Sequence, residues 1–176
     1  MNSWCYILVV IFLSYQMKGR QLYVGTDKEY RSIKKAIQQS NDGDSIIVFS
    51  GTYKEGNIII DKSVSLIGKN LPVLDGQKQY EVVSIKANYV LFSGFKVQRS
   101  GHATLNDPGG VKIYDSHHVS ICDNVFDDNF FGIYLQYSKH CVVKNNKLIA
   151  YGVEEQQIGN GIHCWKSDSL QIVGNT

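Results

Sequence analysis

The stretch "GIYLQYSKHCVVKNN" (132–146) is the middle one of three segments that align with each other without gaps. The other two are "GVKIYDSHHVSICDN" (110–124) and "GIHCWKSDSLQIVGN" (161–175), so successive copies begin 22 and 29 residues apart. Each copy has a leading Gly, a central Ser, a closing Asn and two pairs of alternating apolar positions. Short segments with a period of two, repeated at this spacing, are typical of a stacked β architecture.

Two weaker copies, "VSLIGKNL" (64–71) and "VLFSGFKV" (90–97), precede these three. Short strands separated by polar corners predict parallel strands that stack coil on coil. We therefore predict an all-β fold, a right-handed single-stranded parallel β-helix of the pectin-lyase-like kind with a short N-terminal capping helix.

The closing asparagines of the three copies occupy the same corner of each coil, and they are Asn124, Asn146 and Asn175. Asn tolerates left-handed backbone geometry, and stacked strands place equivalent residues about 4.8 Å apart. We expect a structural ladder in which each Asn side chain bonds to the Asn of the next coil.

Two apolar columns recur in the aligned copies: Val111, Ile133 and Ile162, then Ile113, Leu135 and Cys164. Both columns must point inward, because a slip by one residue would bury Lys112. This register makes Cys164 a small core residue, and it makes Cys141 one as well. Cys122 falls on the outward phase and is expected to be an exposed thiol.

The outward positions of the same strands carry an aromatic surface, which consists of Tyr114, Tyr134, His163 and Trp165. Exposed aromatic side chains grouped on one face indicate a contact surface for a partner or a ligand. The alternative is that a loop, or a part of the protein beyond Thr176, packs over them.

His118 and His140 occupy equivalent corners of adjacent coils, close enough to share a metal ion such as copper. The next coil has Ser169 at this corner, and His102 would add a ligand only if its loop folds back. The alternative interpretation is a pair of solvated turn residues.

Residues 1–20 resemble a signal peptide, with an apolar run over 5–15. This run is shorter than the roughly 20 residues of a membrane-spanning helix. We predict export to the periplasm, and an uncleaved membrane anchor is the alternative.

Residues 21–44 are predicted to form an N-terminal segment with an amphipathic capping helix over 30–44. The β-helix repeats then run over 45–176, and the first strands lie within 45–53. Because no cap follows the last coil, we expect a fragment of a longer protein.

Charge and motifs narrow the function. The chain has 18 Lys+Arg against 16 Asp+Glu, which argues against nucleic acid as the partner. It has no phosphate-binding loop and no Ser-nucleophile motif. The outward strand positions lack the paired carboxylates of carbohydrate-cleaving enzymes. On these grounds the sequence predicts a protein that is not an enzyme.

Five stretches occur in an order that resembles the NosD family of nitrous oxide reductase maturation proteins, which are periplasmic β-helix proteins described as copper-binding. They are "SIKKAIQQSNDGDSIIVFSGTYKEGNIIIDKSVSLIGKNLPVLDG", "SGFKVQRSG", "DPGGVKIYDS", "NFFGIYLQYS" and "GNGIHCWKSDS". The most specific parts are "FFGIYL" and "GNGIH-W". The resemblance runs from about Tyr30 to Thr176, and its capping-helix part also looks like pectinesterase-type β-helices.

This resemblance implies an exported accessory protein of denitrification that serves the copper–sulfur centre of nitrous oxide reductase. Its partners would be the membrane and ATPase subunits of an ABC transporter and the reductase itself, with copper as the cofactor. The resemblance gives no copper ligands residue by residue. There are two alternatives. One is a secreted β-helix protein that binds polysaccharide or, less readily, cleaves it, and the other is a purely structural surface β-helix.

Overall fold

The computed structural model describes residues 19–102, 107–152 and 159–176. In this part of the chain the elements are, in order, β1 (Gln21–Val24), α1 (Ile33–Gln39), β2 (Ser45–Val48), β3 (Thr52–Tyr53), β4 (Ile58–Ile60), β5 (Ser65–Gly68), β6 (Val73–Asp75), β7 (Val83–Ile85), β8 (Leu91–Ser93), β9 (Lys96–Gln98), β10 (Gly109–Tyr114), β11 (Ser120–Cys122), β12 (Val125–Asp127), β13 (Phe131–Gln136), β14 (Val142–Lys144), β15 (Lys147–Ile149), β16 (Ile162–Trp165) and β17 (Gln171–Val173).

The strands form three sheets, and every pairing between the described strands is parallel. One sheet has seven strands in the order β1-β2-β5-β8-β11-β14-β17. The other two have five strands each, in the orders β16-β13-β10-β7-β4 and β15-β12-β9-β6-β3. From β3 onward each coil gives one strand to each sheet, so the predicted parallel β-helix is confirmed.

The strand register places the two apolar columns inside the solenoid. Val111 pairs with Ile133 and Ile133 pairs with Ile162, while Leu135 lies between Ile113 and Cys164. The remaining interior is mostly aliphatic, with the rings of Phe92 and Phe95 stacked at 4.7 Å between centroids. Such dense apolar packing is the main source of stability of the coil stack.

The three cysteines of the described chain differ in exposure. Cys141 is buried, as expected of a core residue, and Cys122 is partly exposed. Cys164 occupies an inward position of β16, but its side chain is exposed. The prediction of a core thiol at Cys164 is therefore wrong for this structure, because no further coil covers that position within the described residues.

The asparagine ladder crosses three coils at the corner between two sheets. The side-chain oxygen of Asn146 accepts hydrogen bonds from the main chain of Asn124 at 3.1 Å and from its side-chain amide at 3.0 Å. Asn175 accepts the same two bonds from Asn146 at 2.9 and 3.0 Å. Each amide nitrogen also donates to a main-chain carbonyl, so the polar groups of Asn124 and Asn146, which are almost fully buried, are satisfied.

A second buried asparagine, Asn129, performs a similar role at another corner and was not predicted. Its oxygen accepts from the main chain of Ser100 at 3.1 Å, and its amide donates to the carbonyl of Val97 at 2.9 Å. It has no counterpart in the three aligned copies, which end at the closing asparagines.

The N-terminal segment differs from the prediction in two ways. Helix α1 is shorter than the predicted 30–44, and it begins after the N-cap residue Ser32. The carboxylate of Glu55 accepts from the main chain of Ile33 at 2.8 Å and of Lys34 at 3.1 Å, which satisfies the helix N-terminus. Strand β1 pairs with β2 in the seven-stranded sheet, so the stack begins at Gln21 rather than at residue 45.

The predicted signal peptide at 1–20 lies almost entirely outside the described residues. Among the residues that the structure describes, no helix is long and apolar enough to cross a membrane.

Candidate functional site

A groove of about 800 Å³ lies on the outer face of the five-stranded sheet β16-β13-β10-β7-β4. The side chains that matter for its chemistry are those of Asn57, Glu81, Asp107, Lys112, Tyr114 and Tyr134. They come from four successive coils, those of β4, β7, β10 and β13, and half of them lie just before a strand. The coil stack therefore concentrates polar and aromatic groups that are far apart in sequence.

The strand register determines which residues form the floor of the groove. Ser84 of β7 pairs with Lys112 of β10, which pairs with Tyr134 of β13, and this column points outward. Alternation along a strand turns each of these residues away from the core. Tyr114 is two positions beyond Lys112 and points in the same direction.

Lys112 lies between two tyrosine rings. Its ammonium is 4.4 Å from the ring centroid of Tyr134 and 5.0 Å from that of Tyr114. The ammonium also donates to the main-chain carbonyl of Asp107 at 3.5 Å. Cation–π contacts of this kind compensate part of the cost of burying the charge. Lys112 and Tyr134 are only 5% and 7% exposed.

The carboxyl group of Glu81 is the most constrained acidic group in the groove. The hydroxyl of Tyr114 is 2.9 Å from its Oε2 and 3.1 Å from its Oε1, and the hydroxyl of Ser84 donates to Oε1. Ser84 is in turn held by the amide of Asn57, whose nitrogen is 2.8 Å from the Ser84 hydroxyl. Glu81 is therefore connected to three consecutive coils.

The surroundings of Glu81 change its acidity. Burial raises the pKa of Glu81, and hydrogen bonds from Ser84 and Tyr114 and the charge of Lys112 offset only part of this effect. Burial, and then the neighbouring carboxyl of Glu81, raise the pKa of Tyr114. The tyrosine therefore stays protonated, and Glu81 holds its proton to a higher pH than a solvated glutamate does.

The predicted aromatic surface is only partly present as a unit. The rings of Tyr134 and His163 meet at 4.7 Å between centroids, edge to face, and Phe131 contacts both at 5.2 and 4.9 Å. We call these three residues the Phe131 cluster. Sequence reasoning missed Phe131, although the quoted motif "FFGIYL" contains it.

The other two members of the predicted aromatic surface lie elsewhere. Tyr114 belongs to the groove through its bond to Glu81. Trp165 is 48% exposed and lies near the ammonium of Lys166. The expectation that all four rings are exposed fails at Tyr134, because Phe131 and His163 pack against it.

His118 and His140 do lie on adjacent coils, but their rings are stacked. The centroids are 5.3 Å apart with 15° between the planes, and Tyr89 stacks on the other side of His118 at 4.9 Å. A ring nitrogen binds a metal along a direction in its own ring plane, and stacked planes do not direct these positions toward one point. No group of three or more His, Cys, Asp or Glu side chains suited to a metal occurs in the described part of the chain. His102 lines the groove instead.

A family model described as "Right handed beta helix region" matches residues 17–176. The chain belongs to this right-handed β-helix family. The match covers all three sheets described above, and it agrees with the predicted handedness of the coil.

Solved structures with a similar fold include pectin methylesterases. One, in complex with a hexasaccharide, has a TM-score of 0.54 and 11% identity, over 85% of this chain and 66% of that one. Another, from Aspergillus niger, has a TM-score of 0.45 and 12% identity, over 88% of this chain and 72% of that one. At such identities the likeness shows the fold alone.

One curated protein also matches in sequence. The DNA damage-binding protein 1 of Schizosaccharomyces pombe is 25% identical over 145 residues. The matched region is 80% of this chain but only 12% of that protein. This β-helix chain therefore takes no activity from that relative.

The prediction that the chain is not an enzyme is contradicted, because a solved structure that shares this fold, at a TM-score of 0.54, is that of a pectin methylesterase, which is an enzyme. That prediction rested on the absence of paired carboxylates at outward strand positions. Glu81 was not considered in that prediction, because it precedes β7 and lies outside the three aligned copies. Only its position beside the column of Ser84 and Lys112, which the fold creates, makes it part of a site.

Proposed function

We propose that this β-helix protein is an exported accessory factor for the copper–sulfur centre of nitrous oxide reductase, acting with an ABC transporter. The observation that carries the proposal is the pairing of the two most specific family stretches. "FFGIYL" (130–135) contains most of β13 and "GNGIH-W" (159–165) contains β16, and these strands are neighbours in one sheet. The stretches that resemble the family thus form one surface.

The Phe131 cluster is the part of that surface suited to a protein partner. It joins two aromatic rings and an imidazole on the outer face of the coil, and His163 is further held by the side chain of Asn160 at 3.1 Å. Preorganised aromatic side chains lose little conformational entropy on binding and are enriched at the centres of interfaces. We assign the contact with the transporter subunits or the reductase to this cluster.

Export and copper belong to the same proposal. The apolar run over 5–15 supports delivery to the periplasm through a signal peptide, with an uncleaved anchor as the alternative. Copper would be the cargo, and His118 and His140 are the residues proposed to contact it. Their stacked geometry favours transient contact over a stable chelate.

Complementation of source-organism cells that lack the protein tests this function. The double variant Phe131→Ala, His163→Ala should abolish consumption of nitrous oxide, while the protein is still exported in normal amounts. Tyr23→Ala is the control, because Tyr23 is also an exposed aromatic residue (39% exposed) but lies in β1, in the seven-stranded sheet. Normal consumption by the double variant would overturn the assigned surface, and normal consumption without any protein would overturn the function.

A second candidate function is favoured by the groove. Its aromatic rings, its hydroxyl and amide groups and its length across four coils suit a polysaccharide, because sugar rings stack on aromatic faces and their hydroxyls need polar partners. A solved neighbour with this fold was crystallised with a hexasaccharide. Calorimetry of the full-length protein against polygalacturonate, xylan, alginate and laminarin tests this candidate. Saturable binding that is weakened by Tyr80→Ala is expected, because Tyr80 is an exposed ring of the groove, and no binding to any of them would exclude it.

A further inference from the structure

We propose that Glu81 is a catalytic acid that cleaves a glycosidic bond in the groove, an activity that rests on the second candidate function. Glu81 is the one glutamate that lines the groove within the described residues. Its carboxyl group is fixed from two sides, by Ser84 of its own coil and by Tyr114 of the next. A carboxyl held in this way faces bound substrate in one orientation and loses no freedom in the reaction.

The two carboxyl oxygens of Glu81 differ in their surroundings. Oε1 takes bonds from both Ser84 and Tyr114, whereas Oε2 takes the contact of the Tyr114 hydroxyl at 2.9 Å, and Asn57 adds a further hydrogen bond to the carboxyl group. Oε2 is therefore the oxygen with room for a proton and for a substrate oxygen. A carboxyl that holds its proton to a higher pH than it would in solution is suited to act as a general acid.

The groove also supplies the other groups that the reaction needs. Asp107 lines the same groove and is exposed, so its carboxylate suits the role of base. Lys112 places a positive charge beside the site, which favours an acidic sugar in the groove by attraction at a distance. Tyr80, which is 42% exposed, gives an aromatic surface on which a sugar ring stacks. Lys78 and His102 are the remaining titratable groups of the lining other than Tyr114.

The reaction is a hydrolysis that consumes one water molecule. The proton on Oε2 of Glu81 moves to the glycosidic oxygen as its bond to the anomeric carbon breaks. The water oxygen forms the new bond to that carbon, and its released proton passes to the carboxylate of Asp107. Proton exchange with solvent then restores Glu81 and Asp107, so the products are two shorter glycans and no electrons are transferred.

A purely structural role for Glu81 makes a different prediction, because Glu81 also connects adjacent coils. Glu81→Gln keeps a side chain of the same shape that still accepts hydrogen bonds through its oxygen, but it has no proton to give. Glu29→Gln is the matched control, since Glu29 is exposed near the first coil and does not line the groove.

The experiment measures release of reducing ends from the four named polysaccharides, and binding of the same polymers, with the full-length protein. Wild type and Glu29→Gln should cleave the polymer that they bind. Glu81→Gln should bind it within about threefold of wild type but cleave it about 10²–10⁴-fold more slowly. Equal cleavage by Glu81→Gln would overturn the inference. Binding without cleavage by wild type would also overturn it and leave the second candidate function standing, whereas absence of binding would remove both.

The pH profile of Tyr114→Phe provides a readout that a structural role would not change. Cleavage by wild type should fall as pH rises through the pKa of Glu81, because the acid form is lost. Removing the Tyr114 hydroxyl removes a hydrogen bond that favours the ionised carboxylate, so this falling limb should move to higher pH. An unmoved limb would show that Glu81 is not the titrating acid.

Discussion

Asn124 gives both its main-chain and its side-chain N–H to a single atom, the side-chain oxygen of Asn146, at 3.1 and 3.0 Å. This relationship repeats one coil further, between Asn146 and Asn175. One side-chain type at one corner therefore satisfies buried polar groups on two coils at once. It also sets the register between coils, because only aligned asparagines meet in this way.

Removing the middle amide should destabilise the stack. Asn146→Ala leaves two buried N–H groups of Asn124 without partners and removes one hydrogen bond to the main-chain carbonyl of Ile121. Each unsatisfied buried group costs about 1–3 kcal/mol, so a loss of several kcal/mol in the free energy of unfolding is expected. Chemical denaturation followed by circular dichroism measures it. Asn41→Ala, at an exposed position beyond α1, is the control and should change the midpoint little. Equal midpoints for both variants would contradict the role of the ladder.

Glu81 should make stability depend on pH in a direction opposite to that of most carboxylates. Its pKa is raised by burial in the folded state, so its stabilising contribution is full below the unfolded pKa and is lost as pH rises through the folded pKa. Glu81→Gln cannot ionise and should gain stability relative to wild type on going from about pH 4 to pH 8. Melting temperatures of the two proteins across this range measure the difference. A difference that does not vary with pH would show that Glu81 has an ordinary pKa.

The contribution of Asp75 to stability should depend on pH in the way that is usual for a carboxylate. Burial alone would raise its pKa, but hydrogen bonds from Arg99, Gln77 and Gln98 outweigh it and hold the pKa of Asp75 below its usual range. The guanidinium contact joins Nε of Arg99 to Oδ1 of Asp75 at 3.0 Å. The stabilisation from Asp75 is fully present above the pKa that its carboxyl has in the unfolded chain. It is lost as pH falls through the lower pKa that the carboxyl has in the folded protein.

The variant Asp75→Asn tests this contribution. It should be less stable than wild type at pH 7, and the difference should shrink below about pH 4. Asp168→Asn is a suitable control, since the Asp168–Lys139 pair is largely exposed and such pairs contribute about 0–1 kcal/mol. If Asp75→Asn remained as stable as wild type at pH 7, the Arg99 pair would have no net effect.

Copper binding by His118 and His140 should be weak. The stacked rings of His118 and His140 do not direct their nitrogens to a common point, so two ligands acting together are not expected. Calorimetry with Cu²⁺ should show no tight one-to-one site, and the His118→Ala, His140→Ala double variant should lose only weak binding. One tight site that the double variant loses would contradict this geometry.

The fold could be predicted from the sequence because the same types of side chain recur at equivalent positions of each copy. Alternation placed Val111 and Ile133 inside, and the closing asparagines marked the corner that holds Asn146. The place of β1 in the stack was not predicted from the sequence. Helix α1 separates β1 from β2, and "QLYV" has no glycine or asparagine that could be aligned with the other copies. Local periodicity thus predicts the interior of a coil better than its ends.

The groove could not be predicted in the same way. Glu81 and Asn57 lie outside the aligned copies, and their proximity depends on how the coils at β4, β7 and β10 stack. Lys112 was placed correctly on the outward phase. Its burial, however, depends on the ring of Tyr114 in the same strand and on the ring of Tyr134 in the next coil. Such contacts between chain segments about 30 residues apart are a property of the folded stack.

The state of nitrous oxide reductase in cells that lack this protein tests the central claim most directly. The reductase should be purified from the periplasm of wild-type and deletion cells of the source organism, and its copper content and visible absorption compared. The proposed function predicts that reductase from deletion cells lacks its copper–sulfur centre and is inactive, and that the restored gene corrects both. Fully loaded, active reductase from the deletion cells would contradict it.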